Sequence, residues 1–209
     1  MTRLVLVRHG ETVWHAENRY AGSSDVALTE AGHEQAEALA VWAATAGIAE
    51  CVTSTLSRTV TTARPAAEAA GVALTQDERL RELDFGRGEG RTAEEMEAEL
   101  GGRYQAFLDD PVHHPLPGGE DPRRAIDRAV GCLREVAAPH RGERVLVVWH
   151  STVMRLVLCH LIGIRPSTYR QVFPAVRNGA ITEIRLHDTG CELLTYNAPL
   201  PATGERRPS

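Results

Sequence analysis

The sequence predicts an α/β fold, a single domain with a mainly parallel sheet flanked by helices. Three observations carry this. Short, largely apolar runs at residues 3–7, 50–53, 72–75 and 145–149 read as buried strands, and helical stretches separate them, the alternation that builds a parallel sheet. A chain of 209 residues buries a substantial core without needing a second domain. Hydrophobic content of 43% and charged content of 24% fit a water-soluble globular protein rather than a disordered one.

Taken in order, the first strand at 3–7 runs directly into Arg8-His9-Gly10. Thr29 is placed to cap a helix whose Ala36, Leu39, Ala40 and Ala43 recur at helical spacing, with an end near Gly47. The strand at 50–53 leads to a helix after Ser57, and the strand at 72–75 follows it. Thr92-x-x-Glu95 is a capping-box pattern for a short helix in mid-chain. Residues 101–120 show little periodicity, and Asp109-Asp110-Pro111 and Pro115-Leu116-Pro117-Gly118-Gly119 mark turns, so a loop or lid is expected there. Asp121 and Pro122 supply a cap and a first-turn proline for a helix carrying Ile126, Val130, Leu133 and Ala137 on one face. Beyond the strand at 145–149, Val153, Leu156, Val157, Leu158 and Leu161 mark a helix that begins just after His150 and stops at Gly163. Residues 181–186 and 192–196 alternate like a closing hairpin at the sheet edge. The domain is expected to span 1–197, with 198–209, rich in proline and polar residues, as a disordered tail.

Charge and composition exclude several functions. Net charge is −5 and no basic block is present, so the footprint of a nucleic-acid binder is missing. All 23 basic residues are arginine, which removes phosphate-loop lysines and Schiff-base chemistry. Cys51, Cys132, Cys159 and Cys191 form no C-x-x-C pair, and the histidines show no paired ligand spacing, so no metal and no cofactor are expected. There is no signal-peptide pattern and no apolar run near the ~18 residues that span a bilayer, so a cytoplasmic location without membrane partners is the expectation.

The chemistry is concentrated at Arg8-His9-Gly10-Glu11-Thr12, where a buried strand delivers a cation and a nucleophile side by side. That pairing suits phosphate, because a neutral imidazole approaches a phosphomonoester dianion without repulsion. Four further segments fit the same idea: Ser54-Thr55-Leu56-Ser57-Arg58-Thr59, Leu80-Arg81-Glu82-Leu83-Asp84-Phe85-Gly86, Val147-Val148-Trp149-His150-Ser151-Thr152 and Asn178-Gly179-Ala180-Ile181-Thr182. In order and spacing, from Leu4 to Tyr196, these segments resemble the histidine phosphatase superfamily, which contains cofactor-dependent phosphoglycerate mutases and many small-molecule phosphatases. The resemblance implies a phosphoglycerate mutase-like fold and a metal-independent phosphomonoesterase acting on a small phosphorylated metabolite.

In that reading His9 is the nucleophile and forms a phosphohistidine, with a backbone carbonyl holding its second ring nitrogen. Arg8 and Arg58 clamp phosphoryl oxygens through their guanidinium forks, and His150 completes the cage. The helices after Ser57 and after His150 point their amino-terminal ends at the anion. Glu82 occupies the position of the family's proton donor, and a bound dianion would keep it protonated.

Other positions leave alternatives open. Asn178 either contacts the site or only forms a turn. Arg19, in a stretch ending at Gly22 that resembles the substrate pocket of phosphoglycerate mutases, either meets a second anionic group or pairs with a carboxylate. Two positions depart from the family's pattern. His15 stands where many relatives carry a phosphate-contacting asparagine, and Ser151 follows His150 where glycine is commonest, adding either a hydroxyl near the anion or a helix cap. The segment after Glu82 is similar to the phosphatase branch, and the longer basic insertion of the mutases is missing. Phosphoglycerate mutase activity is therefore the second reading, and a non-catalytic phospho-ligand-binding module the third. Exposed apolar residues on the final hairpin would point to a homodimer.

Overall fold

The computed structural model describes residues 1–200. Strands β1 (Thr2–Arg8), β2 (Ile48–Thr53), β3 (Leu74–Gln76), β4 (Arg144–Trp149), β5 (Ile181–Leu186) and β6 (Cys191–Ala198) form one sheet in the order β3-β2-β4-β1-β5-β6. The pairings β1–β4, β2–β4 and β2–β3 are parallel, whereas β5 and β6 join as the antiparallel hairpin foreseen at the edge. Helices α1 (Glu30–Ala43), α2 (Ser57–Ala70), α5 (Pro122–Ala137) and α6 (Ser151–Leu161) pack on the sheet, and α3 (Ala93–Leu100), α4 (Gly102–Asp109) and α7 (Tyr169–Val172) lie between or after them in the chain.

Side-chain alternation along β1 decides the layers. Leu4 and Leu6 are buried with Ile126, Leu133, Val153 and Val157 of α5 and α6, while Val5 and Val7 are buried with Leu39 of α1 and Ala63 of α2. With a strand sandwiched in this way, every residue from Leu4 to Val7 is inaccessible, which is why the run reads as continuously apolar. A third cluster of Leu83, Phe85, Met96, Tyr104, Phe107 and Leu116 underlies the long excursion between β3 and α5.

Local signals act as read. Thr29 accepts the Gly32 N–H at 3.1 Å, Thr92 and Glu95 close a reciprocal capping box, and Asp121 accepts the Arg123 N–H at 2.9 Å. Two expectations are corrected. The stretch at 101–120 is not all loop, because Gly102–Asp109 is helical, with Tyr104 and Phe107 turned into the third cluster. Two turns are too few to display a period, and Gly101, at φ +49°, breaks the continuity with α3. The third strand is shorter and later than 72–75, since only Leu74–Gln76 pair with β2. Of the expected tail at 198–209, Ala198 ends β6 and residues 201–209 lie outside the described residues. No helix among the described residues is long and apolar enough to cross a membrane.

Candidate active site

Parallel pairing puts the chemistry in one place. Arg8 lies in register with Trp149, so His9 and His150 emerge one residue beyond the carboxyl ends of adjacent strands, the edge where open α/β sheets form ligand crevices. Their ring centroids are 5.3 Å apart at an interplanar angle of 60°, within reach of one tetrahedral oxyanion. A cavity of about 430 Å³ opens here, with Arg8, His9, His15, Glu82 and Ser151 in its wall.

His9 donates from Nδ1 to the Gly10 carbonyl at 2.7 Å, which leaves the Nε2 lone pair free. Burial, then Arg8 and Arg58, hold its pKa well below the usual value, so the ring stays neutral and nucleophilic. The strand end is locked from three sides. Thr62 Oγ1 accepts the Gly10 N–H at 2.9 Å, Asn178 Nδ2 donates to the His9 carbonyl at 2.8 Å, and the Gly179 N–H donates to the Arg8 carbonyl at 2.9 Å.

Arg8 donates from Nη1 to the Val176 carbonyl at 2.7 Å and from Nη2 to His15 Nε2 at 2.6 Å. Because a guanidinium only donates, His15 Nε2 is the acceptor. His15 Nδ1 then carries the hydrogen and donates to Thr12 Oγ1 at 2.8 Å, although the Thr12 amide also lies 3.0 Å away. Burial, with Arg8 next, keeps His15 below its ordinary pKa. Arg8 Nε is buried without a partner, a donor whose burial is costly until an acceptor reaches it. Burial lowers Arg8 to about 10, opposed by Glu82 and assisted by Arg155 and Arg58, so it remains cationic at neutral pH.

Arg58 is fully buried and turns most of its donors to backbone, Nη1 to the Ser24 carbonyl at 2.7 Å and Nη2 to that of Gly22 at 2.8 Å. It pins the 21–24 loop and donates from Nε to His150 Nδ1 at a long 3.4 Å. His150 Nε2 therefore carries its hydrogen and donates to Ser54 Oγ at 2.8 Å. Burial, then Arg58, holds His150 neutral.

Among the described residues Glu82 is the only acidic side chain in the cavity wall, and it accepts three backbone N–H bonds. Oε1 takes those of Leu83 at 2.8 Å and Val153 at 2.9 Å, and Oε2 takes that of Thr152 at 2.9 Å. The amino terminus of α6 is thus closed by a carboxylate rather than aimed at the cavity, and that of α2 donates from Ser57 to Asp25 at 2.8 Å. This corrects the expectation that both helix ends face the anion directly. It also corrects the capping role considered for Ser151, which is the first residue of α6 and lies in the cavity wall.

Three further residues take defined places. Gly22 does not line the cavity, and its N–H is taken by the Glu89 carboxylate at 3.0 Å. Arg19 does line it, but is paired with Glu17 and Glu95, each at 2.8 Å. Asn178 touches the site through the His9 backbone. Sequence reasoning missed Arg128, which donates to the Arg79, Arg81 and Glu82 carbonyls and is anchored by Glu120 at 2.8 Å, fixing the backbone that carries Glu82. No local pattern marks it, since its carbonyl partners lie more than 45 residues upstream. Among the described residues no group of three or more His, Cys, Asp or Glu side chains is arranged to hold a metal ion.

Residues 4–199 match the family model of the histidine phosphatase superfamily, branch 1. The chain belongs to this superfamily. A probable phosphoglycerate mutase GpmB of Salmonella paratyphi B is 34% identical over 184 residues, covering 88% of this chain and 85% of the relative. Among solved structures, YhfR of Bacillus stearothermophilus superposes with a TM-score of 0.88 at 28% identity, covering 95% of this chain and 98% of that one. A mycobacterial glucosyl-3-phosphoglycerate phosphatase gives 0.85 at 25% identity, covering 94% and 99%. A putative alpha-ribazole-5'-P phosphatase of Escherichia coli gives 0.83 at 26% identity, covering 95% and 98%. Family and fold together make this histidine phosphatase an enzyme of the phosphatase type, and its Arg8-His9 and His150 segments stand at adjacent strand ends.

Proposed function

We propose that this histidine phosphatase is a metal-independent phosphomonoesterase that acts on a small phosphorylated metabolite through a phosphohistidine on His9. The observation that carries this reading is a neutral, buried imidazole with a free Nε2, on a strand end whose neighbouring Arg8 keeps one buried donor unpartnered. Nε2 attacks phosphorus as the ester P–O bond breaks. The departing alkoxide takes a proton, and water then cleaves the P–N bond to release inorganic phosphate.

Glu82 is the proton donor in this scheme, and its hydrogen bonds favour one of its two oxygens for that role. A carboxylate oxygen offers two lone-pair sites, and both on Oε1 are spent, on Leu83 and Val153. Oε2 receives only Thr152, so the transferable proton resides on Oε2. An incoming dianion raises the proton affinity of His150, which burial and Arg58 hold neutral in its absence. Binding therefore assembles the cage it needs.

The mutase reading draws on the name of the Salmonella relative and shares the first half-reaction, differing in whether the phosphoryl group returns to a bound acceptor. Turnover of a phosphomonoester panel with stoichiometric release of inorganic phosphate supports the phosphatase. Mutase activity stimulated by 2,3-bisphosphoglycerate without such release overturns it. A panel member bound tightly but never hydrolysed supports a binding module instead.

A further inference from the structure

The cavity wall holds charge that the phosphoryl scheme does not use. Arg155 of α6 and Arg170 of α7 line it together with Tyr169. Arg155 is held by the Ser151 carbonyl at 3.1 Å and the Phe173 carbonyl at 3.2 Å, and its guanidinium carbon stands 4.7 Å from the Tyr169 ring centroid. Arg170 is held by the Phe107 carbonyl at 3.2 Å and stacks 4.5 Å from the Phe107 ring, with the Tyr169 centroid at 5.4 Å. Two guanidinium groups therefore flank one buried tyrosine, fixed in place by carbonyls and rings.

Neither has a carboxylate partner among the described residues. Arg19, in the same wall, shows the contrast, because Glu17 and Glu95 neutralise it. The single acid of the wall, Glu82, is committed to the first turn of α6. Two preorganised like charges in the wall of a cavity already lined by Arg8 repel one another, and an anion within reach of both relieves that repulsion. Guanidinium forks, unlike point charges, favour planar or tetrahedral oxyanions that accept two hydrogen bonds.

We propose that Arg155 and Arg170 form a second anion subsite, so that the preferred substrate is a phosphomonoester bearing another anionic group, a carboxylate or a second phosphate, beyond the scissile one. This rests on the phosphomonoesterase reading for its location and deepens it by naming the substrate class. Binding energy at this remote group orients the scissile phosphate against His9. Tyr169 and Phe107 hold the two arginines rather than touch the reacting atoms.

The test compares probes that differ in the second charge: 3-phosphoglycerate against glycerol 3-phosphate, and fructose 1,6-bisphosphate against fructose 6-phosphate. Phosphate release is followed on the wild type, and affinity is followed by calorimetry on His9→Ala, which cannot turn over. The doubly charged member of at least one pair is expected to exceed its partner by threefold or more in kcat/KM and in affinity, and the responding pair identifies carboxylate or phosphate. Arg155→Ala or Arg170→Ala should collapse that ratio, mainly through KM, and Arg155→Lys should restore part of it. Should an alanine variant fail to fold, Arg155→Lys and Arg170→Gln provide the same comparison. Ratios below threefold in both pairs, or a ratio that survives both substitutions, overturn the subsite. Release from none of the four probes with the affinity ratio intact sinks the phosphatase reading and leaves the subsite standing, whereas release from all four at equal rates does the reverse.

Discussion

Glu82 Oε2 accepts the Thr152 N–H at 2.9 Å, a bond that joins the proposed acid to the first turn of the helix behind His150 across 70 residues of chain. One side chain thereby does two jobs. It satisfies amides that a buried helix start cannot leave unpaired, and it lines the cavity.

Glu82→Gln separates those jobs. The amide keeps one acceptor but turns an NH₂ toward backbone N–H groups, so stability should fall by about 0.5–2 kcal/mol, the usual loss for a helix cap. Loss of the acid should lower kcat by about 10² to 10⁴. Phosphate affinity should persist. A lowered Tm with kcat intact would reduce Glu82 to a structural cap.

His15 provides the acceptor that aims Arg8, at 2.6 Å. His15→Phe keeps the ring and removes the acceptor, and hydrogen bonds to a charged group contribute about 1.5–3 kcal/mol, which corresponds to about ten- to a hundredfold in kcat/KM. Steady-state kinetics against His15→Asn, which retains a carbonyl acceptor, should show partial recovery. Equal losses in both variants would mean that the imidazole itself matters.

Gly10 and Gly32 touch through their backbones. A Cβ on Gly32 would stand 2.1 Å from the Glu11 carbonyl oxygen, and one on Gly10 would stand 2.5 Å from that of Gly32. Gly32→Ala should therefore push α1 away from the Arg8-His9-Gly10 turn, costing about 1–3 kcal/mol as overpacking does, and lowering kcat along with it. Denaturant midpoints and kcat measured on the same preparation test this, and an unchanged midpoint would refute it.

Stability should fall on both sides of near-neutral pH. His9, His15 and His150 have folded pKa values below 6.5, so as pH drops below 6.5 the unfolded chain takes up protons that the native state refuses. Each such histidine removes about 1.4 kcal/mol per pH unit until its folded pKa is reached. His140 has the opposite sign, since Glu143 and Glu50 raise its pKa. Its contribution is present below 6.5 and is lost as pH rises through the folded value. Melting curves from pH 5 to 8 should show His9→Asn flattening the acid limb and His140→Gln the alkaline one. Parallel curves for wild type and variants would contradict the assignment.

The sequence alone determined the α/β class, the order of the elements, the caps at Thr29, Thr92 and Asp121, and the identity of the residues that meet at the strand ends. These are legible because caps, buried runs and family motifs are written in neighbouring residues. Only the tertiary structure decided that Glu82, and not Ser151, closes α6, that Arg58 spends its donors on the 21–24 loop, that Arg19 is paired with carboxylates while Arg155 and Arg170 meet none among the described residues, and that 102–109 is helical. The reason is distance along the chain. A hydrogen bond between residues 34 or 70 positions apart leaves no local periodicity, and whether an arginine finds a carboxylate depends on which loops the folded sheet brings beside it.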